Sequence, residues 1–385
     1  MTLSAPAGAG TARLLAECEQ RLEYPVPGEW VRAFHAVPRH RFLPERLWLR
    51  DGAGGYASCD RGREPDRWWR AAYRDQTLVV QLATGPDGFQ EPTSAASAPS
   101  TMLRMLELAQ LDDDGPVLEV GTGTGFHAAL LCHRLGAAQV TSIDIDSGLV
   151  HDAKERLRTA GYEPTLAATD GTGGHQPGAP YARILSTVAV HSTVPAAWTA
   201  QVRYGGRIVT PFATAWLPYG TLVLDRHRDR AEGRFHPGGS YMGLRGRTVA
   251  SLADARGPRD VPAVTGTTLS PWRVAGEDLA AQFAIGLRVP GAWHSWDTGV
   301  EEAHTRLWVA DEEATSWAAV DYDGSDASCF RVAQHGPRRL WEEIETAYRG
   351  WSESGRPGID RHGITVDDDG RQRLWIDQPS TPLQQ

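Results

Sequence analysis

The segment Val117-Leu-Glu-Val-Gly-Thr-Gly-Thr-Gly-Phe126 predicts a short buried strand, a tight glycine turn and the beginning of a helix. Gly121, Gly123 and Gly125 allow the chain to turn sharply and allow a ligand to approach bare backbone. The residues that follow, 126–135, have helical composition, and the N-terminus of such a helix offers unsatisfied N–H groups. The pattern therefore predicts a strand, loop and helix that together bind a ligand.

The spacing of the glycines limits the kind of ligand. Nicotinamide enzymes use G-x-G-x-x-G, whereas this segment has G-x-G-x-G, and Phe126 and His127 stand where a phosphate-binding loop would carry its lysine. Glu119 places an acid inside the strand itself. A carboxylate there would repel a pyrophosphate and favour a cationic sulfonium cofactor. It could either steady the glycine loop or meet the amino group of the ligand.

Two later acidic residues fit the same ligand. Asp144 ends an apolar strand candidate, 139–144, at the distance of about twenty residues where a carboxylate can hydrogen-bond a ribose diol. Asp170 follows a third strand candidate, 164–168, and would reach the edge of an adenine ring. In an open α/β sheet, ligands bind at the carboxyl ends of the strands, where both carboxylates are expected.

These residues resemble the class I S-adenosylmethionine methyltransferases, and more narrowly the protein L-isoaspartyl O-methyltransferases. Three further segments are similar to motifs of the narrower family, in its order: Val37-Pro-Arg-His-Arg-Phe-Leu-Pro44, Ser97-Ala-Pro-Ser-Thr-Met-Leu-Arg-Met-Leu-Glu-Leu108 and Tyr204-Gly-Gly-Arg-Ile-Val-Thr-Pro211. The resemblance covers roughly residues 30–225. It implies an α/β fold, in which a Rossmann-like methyltransferase domain with a mainly parallel sheet is followed by a smaller C-terminal α+β domain.

The resemblance also implies a cofactor, S-adenosyl-L-methionine, with S-adenosyl-L-homocysteine as its product. The cofactor-binding residues are expected in the glycine loop and after the second and third strands: Glu119, Gly121, Thr122, Gly123, Thr124, Gly125, Asp144, Ile145, Asp170 and Gly171. Ser97 matches the active-site serine of the family, which touches the substrate carboxylate. Further substrate contacts are expected from Ser100, Thr187 and Val188.

Ser97 also has a purely structural interpretation, because either Ser97 or Ser100 could be the N-cap of the helix that follows. The two roles are compatible, since a helix N-terminus attracts anions and the substrate is a carboxylate. The chain departs from the family pattern here. Ala98 stands in place of a glutamine and Ser100 in place of an aromatic residue, which predicts a smaller peptide pocket of different shape.

Composition narrows the classes of partner. The chain has 385 residues, a net charge of −9 and 41% hydrophobic residues. These values predict two domains and disfavour nucleic acid or an anionic membrane surface as main partner. There is no run of eighteen apolar residues and no basic, apolar leader, so we expect a cytoplasmic protein without a membrane segment. The four cysteines form no C-x-x-C pair, and His127 and His133 lack metal-ligand spacing, so we expect reduced thiols and no metal.

Four regions are predicted along the chain. They are an N-terminal helical or irregular lid segment (1–75), the methyltransferase domain (76–225), a connection (226–262) and a C-terminal α+β domain that recognises peptide (263–385). Local expectations include an irregular stretch at 48–75, a loop at 83–97 and a strand candidate at 246–252. In the last region we expect a helix at 337–351 and strands at 282–289, 305–310, 316–321, 329–334, 363–366 and 372–376.

The C-terminal region contains the segments Ser316-Trp-Ala318, Gln334-His-Gly-Pro-Arg-Arg-Leu-Trp341 and Gly363-Ile-Thr-Val366. In these segments it resembles the extra domain of isoaspartyl-methyltransferase homologues that accompany the maturation of ribosomally made peptides, namely lanthipeptides, lasso peptides and graspetides. The favoured hypothesis is methylation of an aspartate in such a cyclised precursor peptide by a monomeric enzyme, giving an aspartimide (succinimide) or isoaspartate. General repair of isoaspartyl proteins is the alternative, and a non-catalytic cofactor-binding protein is a third. The many tryptophans after residue 270 predict either core filling or a peptide-binding aromatic surface.

Overall fold

A computed structural model describes residues 7–52, 54–85, 90–111, 115–239, 241–244, 250–255, 261–298, 300, 304–324 and 328–383. The α-helices in this part of the chain are α1 (Ala7–Leu22), α2 (Gly28–Ala36), α3 (Pro65–Ala72), α4 (Pro99–Ala109), α5 (Phe126–Leu135), α6 (Ser147–Thr159), α7 (Ala196–Gln201), α8 (Leu252–Ala255), α9 (Pro271–Ala275), α10 (Leu279–Arg288) and α11 (Leu340–Glu353).

The strands are β1 (Arg46–Arg50), β2 (Tyr56–Asp60), β3 (Leu78–Thr84), β4 (Gln90–Ala96), β5 (Val117–Val120), β6 (Val140–Asp144), β7 (Thr165–Ala168), β8 (Tyr181–Ser186), β9 (Val190–His191), β10 (Val202–Ala213), β11 (Thr221–Arg226), β12 (Arg230–His236), β13 (Ala263–Thr267), β14 (Trp293–Asp297), β15 (Thr305–Ala310), β16 (Trp317–Tyr322), β17 (Phe330–His335), β18 (His362–Asp367) and β19 (Gln372–Ile376).

The chain forms two compact units, and each is built from separate stretches of sequence. The first unit comprises Met1–Val188, Pro195–Thr210 and Val223–Asp229. The second comprises Ala189–Val194, Pro211–Leu222 and Arg230–Gln385. The roles predicted for 226–262 as a connection and for 263–385 as a peptide-recognition domain stay predictions. The strand candidate at 246–252 lies mostly outside the described residues, and its last residue, Leu252, begins α8.

A parallel sheet organises the first unit. Its strands run in the order β10, β8, β5, β6, β7, and each neighbouring pair is parallel. β5 is buried along its whole length because it lies between β8 and β6. The strand order reverses at β5, and such a reversal is where open α/β sheets bind ligands at their carboxyl edge. The glycine loop that follows β5 therefore lies at the expected position.

The N-terminal part of this unit is more regular than its sequence suggests. The stretch expected to be irregular, 48–75, contains most of β1, together with β2 and α3, and the expected loop at 83–97 lies largely in the β3–β4 hairpin. The four strands form an antiparallel sheet in the order β2, β1, β3, β4. β1 and β2 each have a single buried residue, Leu47 and Cys59, and these two residues pair with each other. One buried residue among charged and half-buried positions does not give the alternation that predicts a strand. The tip of the hairpin, 86–89, lies outside the described residues.

The second unit is rich in antiparallel strands. A five-stranded sheet has the order β13, β17, β16, β15, β14, and β12, β18 and β19 pair antiparallel in turn. The structure confirms the strands expected near 305–310, 316–321, 329–334, 363–366 and 372–376, and the helix expected near 337–351. One expectation was wrong, because residues 282–289 belong mostly to α10 rather than to a strand. Asp278 caps this helix by accepting hydrogen bonds from the N–H groups of Ala280 and Ala281. A short apolar run buried on all sides cannot be assigned by periodicity alone.

Tryptophans of the second unit are found both in its core and at its surface. Trp293, Trp308 and Trp317 are at most 8% exposed and form one cluster with the alanines of the five-stranded sheet. Trp272, by contrast, is 45% exposed and stacks on Tyr322 at 6.2 Å between ring centroids.

No helix in the described ranges is long and apolar enough to cross a membrane. The same residues contain no group of three or more His, Cys, Asp or Glu side chains that could hold a metal ion. The four cysteines are free thiols, and only Cys329 is exposed.

Candidate cofactor and carboxylate site

The glycine loop is held tightly on one side and open on the other. Gly121 has a φ of +100°, and a Cβ there would lie 2.4 Å from Oγ1 of Thr187, so only glycine fits. Gly123 has a φ of +50°, but a Cβ there would meet nothing nearer than the carbonyl oxygen of Ala95 at 4.0 Å. The loop thus leaves space beside Gly123, where a ligand could approach the backbone.

Asp144 ties the second strand to this loop. Its Oδ2 accepts a hydrogen bond from the N–H of Gly123 at 2.9 Å, and its Oδ1 accepts one from the N–H of Asp146 at 3.1 Å. A carboxylate offers about four acceptor positions, so two remain for the hydroxyls of a ribose. The next residue, Ile145, is 49% exposed and offers an apolar surface at the same strand end. The predicted ribose-binding carboxylate therefore also positions the loop backbone.

Glu119 lies at the centre of a buried network beneath the loop. It is fully buried, its Oε1 lies 2.6 Å from Nδ1 of His127, and its Oε2 accepts a hydrogen bond from Ser142. The hydroxyl of Ser142 lies 2.6 Å from that of Thr122 in the loop. Of the two roles considered for Glu119, these contacts favour steadying the glycine loop.

His127 is a functional candidate that the sequence did not indicate, because the spacing of the histidines tests only for a metal site. It is 6% exposed and its Nε2 has no hydrogen-bond partner within the described part of the chain. One feature of the sequence does indicate this role. His127 is a polar residue in an otherwise apolar helix, eight positions after Glu119, and a buried acid such as Glu119 needs a hydrogen-bond partner.

The other predicted cofactor residues lie beside Asp144. The N–H of Thr169 donates to the carbonyl of Asp144 at 2.8 Å, which places Asp170 and Gly171 next to that strand end. Asp170 is exposed and accepts a hydrogen bond from the N–H of Thr172 at 2.9 Å. Gly171 is buried, and its carbonyl accepts a hydrogen bond from the indole of Trp198 at 2.8 Å.

Thr187 and Val188 follow β8 and border the loop. The N–H of Thr187 donates to the carbonyl of Val120 at 2.8 Å, and its Oγ1 donates to the carbonyl of Gly121 at 2.7 Å. A Cβ on Gly121 would lie 3.2 Å from Cγ1 of Val188. Thr187 is therefore hydrogen-bonded to the glycine loop, and Val188 lies beside Gly121.

The structure corrects the helix-cap interpretation of Ser97 and Ser100. The N-cap of α4 is Ala98, and no side chain of the cap residue bonds to the helix. Asp75 instead accepts a hydrogen bond from the N–H of Ser100 at 2.8 Å. Ser97 is half-buried, and no hydrogen bond to its hydroxyl is found among the described residues. Ser100 is only 2% exposed, which leaves its hydroxyl little surface for the predicted substrate contact.

Arg39 is a second residue whose role the sequence did not reveal, although it lies in the 37–44 motif. Its side chain is 1% exposed, and burial lowers the pKa of the guanidinium to about 10, so it stays charged at neutral pH. The guanidinium donates to five carbonyl oxygens at 2.9–3.4 Å: those of Ala72, Arg74, Gln76, Ala96 and Ser97. A single buried cation thus holds the backbone of Ser97 together with that of four other residues.

Comparison with known proteins places the chain in a family. The family model described as protein-L-isoaspartate(D-aspartate) O-methyltransferase matches residues 56–230. A protein-L-isoaspartate O-methyltransferase from Ignicoccus hospitalis is 40% identical over 185 residues, which cover 48% of this chain and 72% of the relative. The chain belongs to the protein-L-isoaspartate(D-aspartate) O-methyltransferase family. A relative from Xanthobacter autotrophicus is 42% identical over 166 residues, covering 43% of this chain and 68% of that protein.

Solved structures confirm the predicted α/β fold. A structure titled protein-L-isoaspartate O-methyltransferase covers 96% of this chain and all of its own chain, with a TM-score of 0.53 and 18% identity. Family membership also gives the cofactor, S-adenosyl-L-methionine. The residues present fit it: the open side of Gly123 admits a ligand, Asp144 has spare acceptor positions for its ribose, and exposed Ile145 can cover its adenine.

Proposed function

We propose that this chain is a methyltransferase for the free α-carboxylate of an isoaspartyl residue in a peptide or protein. The observation that carries the proposal is a convergence at the glycine loop. Thr187 packs on Gly121, and the carbonyl oxygen of Ala95, two residues before Ser97, borders the open side of Gly123. The segments that carry the predicted acceptor residues thus both reach the glycine loop.

The chemistry demands orientation more than acid–base catalysis. The cofactor supplies an electrophilic methyl group when it is bound. An aspartate-type carboxyl has an ordinary pKa near 4, so the acceptor is already an anion at neutral pH and needs no general base. The chain has to hold the acceptor oxygen roughly 3 Å from the methyl carbon and in line with the bond that breaks.

Ser97 and the first turn of α4 would provide this orientation. The Ser97 hydroxyl can donate a hydrogen bond to one carboxylate oxygen, and the N-terminus of α4 favours a negative charge. Arg39 and Asp75 hold the two ends of this short segment by their bonds to Ser97 and Ser100. After transfer, the next backbone nitrogen can attack the carbonyl carbon of the methyl ester. A succinimide ring closes as the C–O bond to the methoxy group breaks, and methanol leaves with the proton of the amide nitrogen.

A second substrate, a cyclised ribosomal precursor peptide, is favoured by one observation. Ala98 and Ser100 replace the glutamine and the aromatic residue of the family, which suits a differently shaped peptide. The C-terminal extension does not separate the two substrates, because a solved isoaspartate methyltransferase also spans 96% of this chain. The names of the relatives favour isoaspartyl repair, so this substrate comes first and the cyclised peptide second.

Mass spectrometry of two parallel assays tests the proposal. The enzyme is given S-adenosyl-L-methionine with an isoaspartyl peptide, and separately with a cyclised aspartate-containing peptide encoded beside its gene. A gain of one methyl group on the isoaspartyl peptide supports the first substrate. A gain of one methyl group followed by a net loss of water, only on the cyclised peptide, would replace it with the second. Cofactor binding without transfer to either peptide would contradict the proposal and leave a non-catalytic binding protein.

The variant Ser97→Ala tests the acceptor contact, and Ser97→Thr is the matched control that keeps a hydroxyl. We expect Ser97→Ala to slow transfer about tenfold or more while calorimetric affinity for the cofactor is unchanged. Full activity of Ser97→Ala would remove the predicted catalytic role.

A further inference from the structure

A glycine-rich loop follows Asp170 in the first unit. Its four residues, Gly171-Thr-Gly-Gly174, include three glycines, so fixing this backbone in one conformation costs more conformational entropy than for most sequences. The N–H of Gly173 donates to the carbonyl of Asp170 at 3.2 Å, and that of Gly174 donates to the carbonyl of Gly171 at 3.1 Å. These bonds give the loop its local shape but do not attach it to the rest of the unit.

Two side chains of α7 attach this loop to the unit. Trp198 and Gln201 lie three positions apart, and so on the same side of the helix. The indole N–H of Trp198 donates to the carbonyl of Gly171 at 2.8 Å. The Nε2 of Gln201 donates to the carbonyl of Gly173 at 2.8 Å, and its Oε1 accepts a hydrogen bond from the N–H of His175 at 2.8 Å. One helix thus holds the loop at its first and third residues and at the residue that follows it.

The attachment is buried at the indole. Trp198 is 0% exposed, Gln201 is 4% exposed and Gly171 is buried. Loss of the indole N–H would therefore leave the carbonyl of Gly171 without a partner in a place that water does not readily reach. Gly173 is exposed, so water can replace the amide of Gln201 there. Gly174 packs directly on that amide, because a Cβ at this position would clash with the Gln201 side chain.

The two ends of the segment are held separately. The N–H of Thr169 donates to the carbonyl of Asp144 before the loop, and the hydroxyl of Tyr181 donates to the carbonyl of His175 after it, at 2.7 Å. The residues between them, 171–174, are the part of the segment that α7 holds. All of these residues belong to the first unit.

We infer that Trp198 and Gln201 are positioning residues for the adenine end of the cofactor. They hold the loop that begins with Gly171 before the cofactor arrives, so less conformational entropy is lost when the cofactor binds. Asp170, which is expected to reach the adenine edge, directly precedes that loop. The inference rests on the cofactor and on the proposed place of Asp170 beside its adenine, and it is independent of the acceptor that is methylated. It gives a role in cofactor binding to α7, which contains none of the predicted cofactor residues.

Two variants remove the attachment, and a third is a matched control. Trp198→Phe keeps an aromatic ring and loses the indole N–H, while Gln201→Met keeps the length of the side chain and loses both hydrogen bonds. Trp68→Phe is the control, since the buried indole of Trp68 also donates to a backbone carbonyl, that of Pro44 at 3.2 Å. We expect calorimetric affinity for S-adenosyl-L-homocysteine to fall about 3- to 20-fold in Trp198→Phe, less in Gln201→Met, and to stay unchanged in Trp68→Phe. Equal affinities in Trp198→Phe and the wild type would overturn the inference.

A second ligand separates positioning from a general loss of stability. S-Inosyl-L-homocysteine has an oxygen where adenine carries its amino group, so it cannot donate that hydrogen bond to Asp170. We expect the wild type to bind the adenosyl ligand more tightly than the inosyl ligand, and this ratio of affinities to shrink in Trp198→Phe but not in Trp68→Phe. A purely structural defect would weaken the binding of both ligands by the same factor. A wild-type protein that binds both ligands equally would remove Asp170 from the adenine edge and contradict the inference.

Hydrogen exchange of the cofactor-free protein supplies a readout that does not depend on activity. Peptides spanning 171–178 should lose protection in Trp198→Phe and keep it in Trp68→Phe, as followed by mass spectrometry. Unchanged exchange in Trp198→Phe would show that the indole does not order the loop, which would also overturn the inference. None of these measurements needs a peptide substrate. A protein that behaves as expected here but methylates neither peptide would contradict the proposed function and leave this inference in place.

Discussion

The carboxylate of Asp75 accepts a hydrogen bond from the backbone N–H of Ser100 at 2.8 Å, across 25 positions of sequence. It thereby provides from outside α4 the cap that the helix lacks at its own N-cap residue, Ala98. The side chain of Asp75 is 4% exposed, while its ion-pair partner Arg21 is 71% exposed. The buried carboxylate of Asp75 also interacts electrostatically with the buried guanidinium of Arg39, so its neighbours include more than the exposed Arg21.

Replacement of Asp75 should therefore destabilise the start of α4. We expect Asp75→Ala to lower the free energy of unfolding by about 1–2 kcal/mol, as for loss of an N-cap, and to slow methyl transfer because Ser97 precedes this turn. Urea denaturation checks the first effect and a methylation assay the second. Arg21→Ala is the control and should cost at most about 1 kcal/mol. Equal effects of the two substitutions would show that the surface ion pair matters more than the cap.

Arg39→Lys tests the five hydrogen bonds that the Arg39 guanidinium donates to backbone carbonyl oxygens. An ammonium has three donors, so at least two of the five buried carbonyl oxygens would lose their partner. We expect a loss of about 3 kcal/mol in the free energy of unfolding, measured by denaturant titration. Arg41→Lys, an exposed change two residues away, serves as control. If the free energy of unfolding falls no more in Arg39→Lys than in Arg41→Lys, the five hydrogen bonds of Arg39 do not stabilise the fold.

Asp144→Ala tests the double role assigned to the second-strand carboxylate. The substitution removes the acceptor for the N–H of Gly123 and the predicted ribose contacts. Loss of one charge-assisted bond of about 1.5–3 kcal/mol should weaken cofactor affinity at least about tenfold in calorimetry. Asp152→Ala, an exposed acid on α6, should leave affinity unchanged. An affinity equal to that of the wild type in Asp144→Ala would remove Asp144 from the cofactor site.

The second unit should lose stability in mild acid. The ordinary pKa of histidine is 6.5, and burial lowers the pKa of His362 to about 4, while its Nδ1 donates to the carbonyl of Gly358 at 3.0 Å. The unfolded chain therefore binds a proton before the folded chain does. The stability from neutral His362 is fully present above pH 6.5 and is lost as the pH falls towards 4, by about 3 kcal/mol at most.

Denaturant titrations at a series of pH values check this sign. His362→Gln should flatten the decline between pH 6.5 and 4, whereas the exposed His35→Gln should leave its slope unchanged. Some decline will remain in His362→Gln, because burial also lowers the pKa of His294 to about 4. If the free energy of unfolding declines with pH at the same slope in the wild type and in both variants, protonation of His362 does not cause the loss of stability.

The sequence predicted the site best where the chemistry is local. The strand, glycine loop and helix at 117–135, and the acid at the end of the next strand, are patterns of neighbouring residues, and the structure brings Asp144 to Gly123 as such patterns imply. Contacts between distant segments were not predictable. Nothing near Asp75 or Gln372 in sequence indicates that one caps α4 and that the side-chain amide of the other hydrogen-bonds to Val194. The misassigned strand at 282–289 failed for another reason, since its apolar run has no polar face from which to tell helix from strand.

The second unit is assembled from three stretches, two of which lie between residues 189 and 222, inside the region shared with the relatives. Such a unit cannot be exchanged between homologues by replacing a single C-terminal segment. A chimaera joined after residue 229 would place a foreign β19 beside the native Val194 and lose the amide of Gln372 that hydrogen-bonds to it. Engineers who wish to transplant this unit have to move all three stretches together.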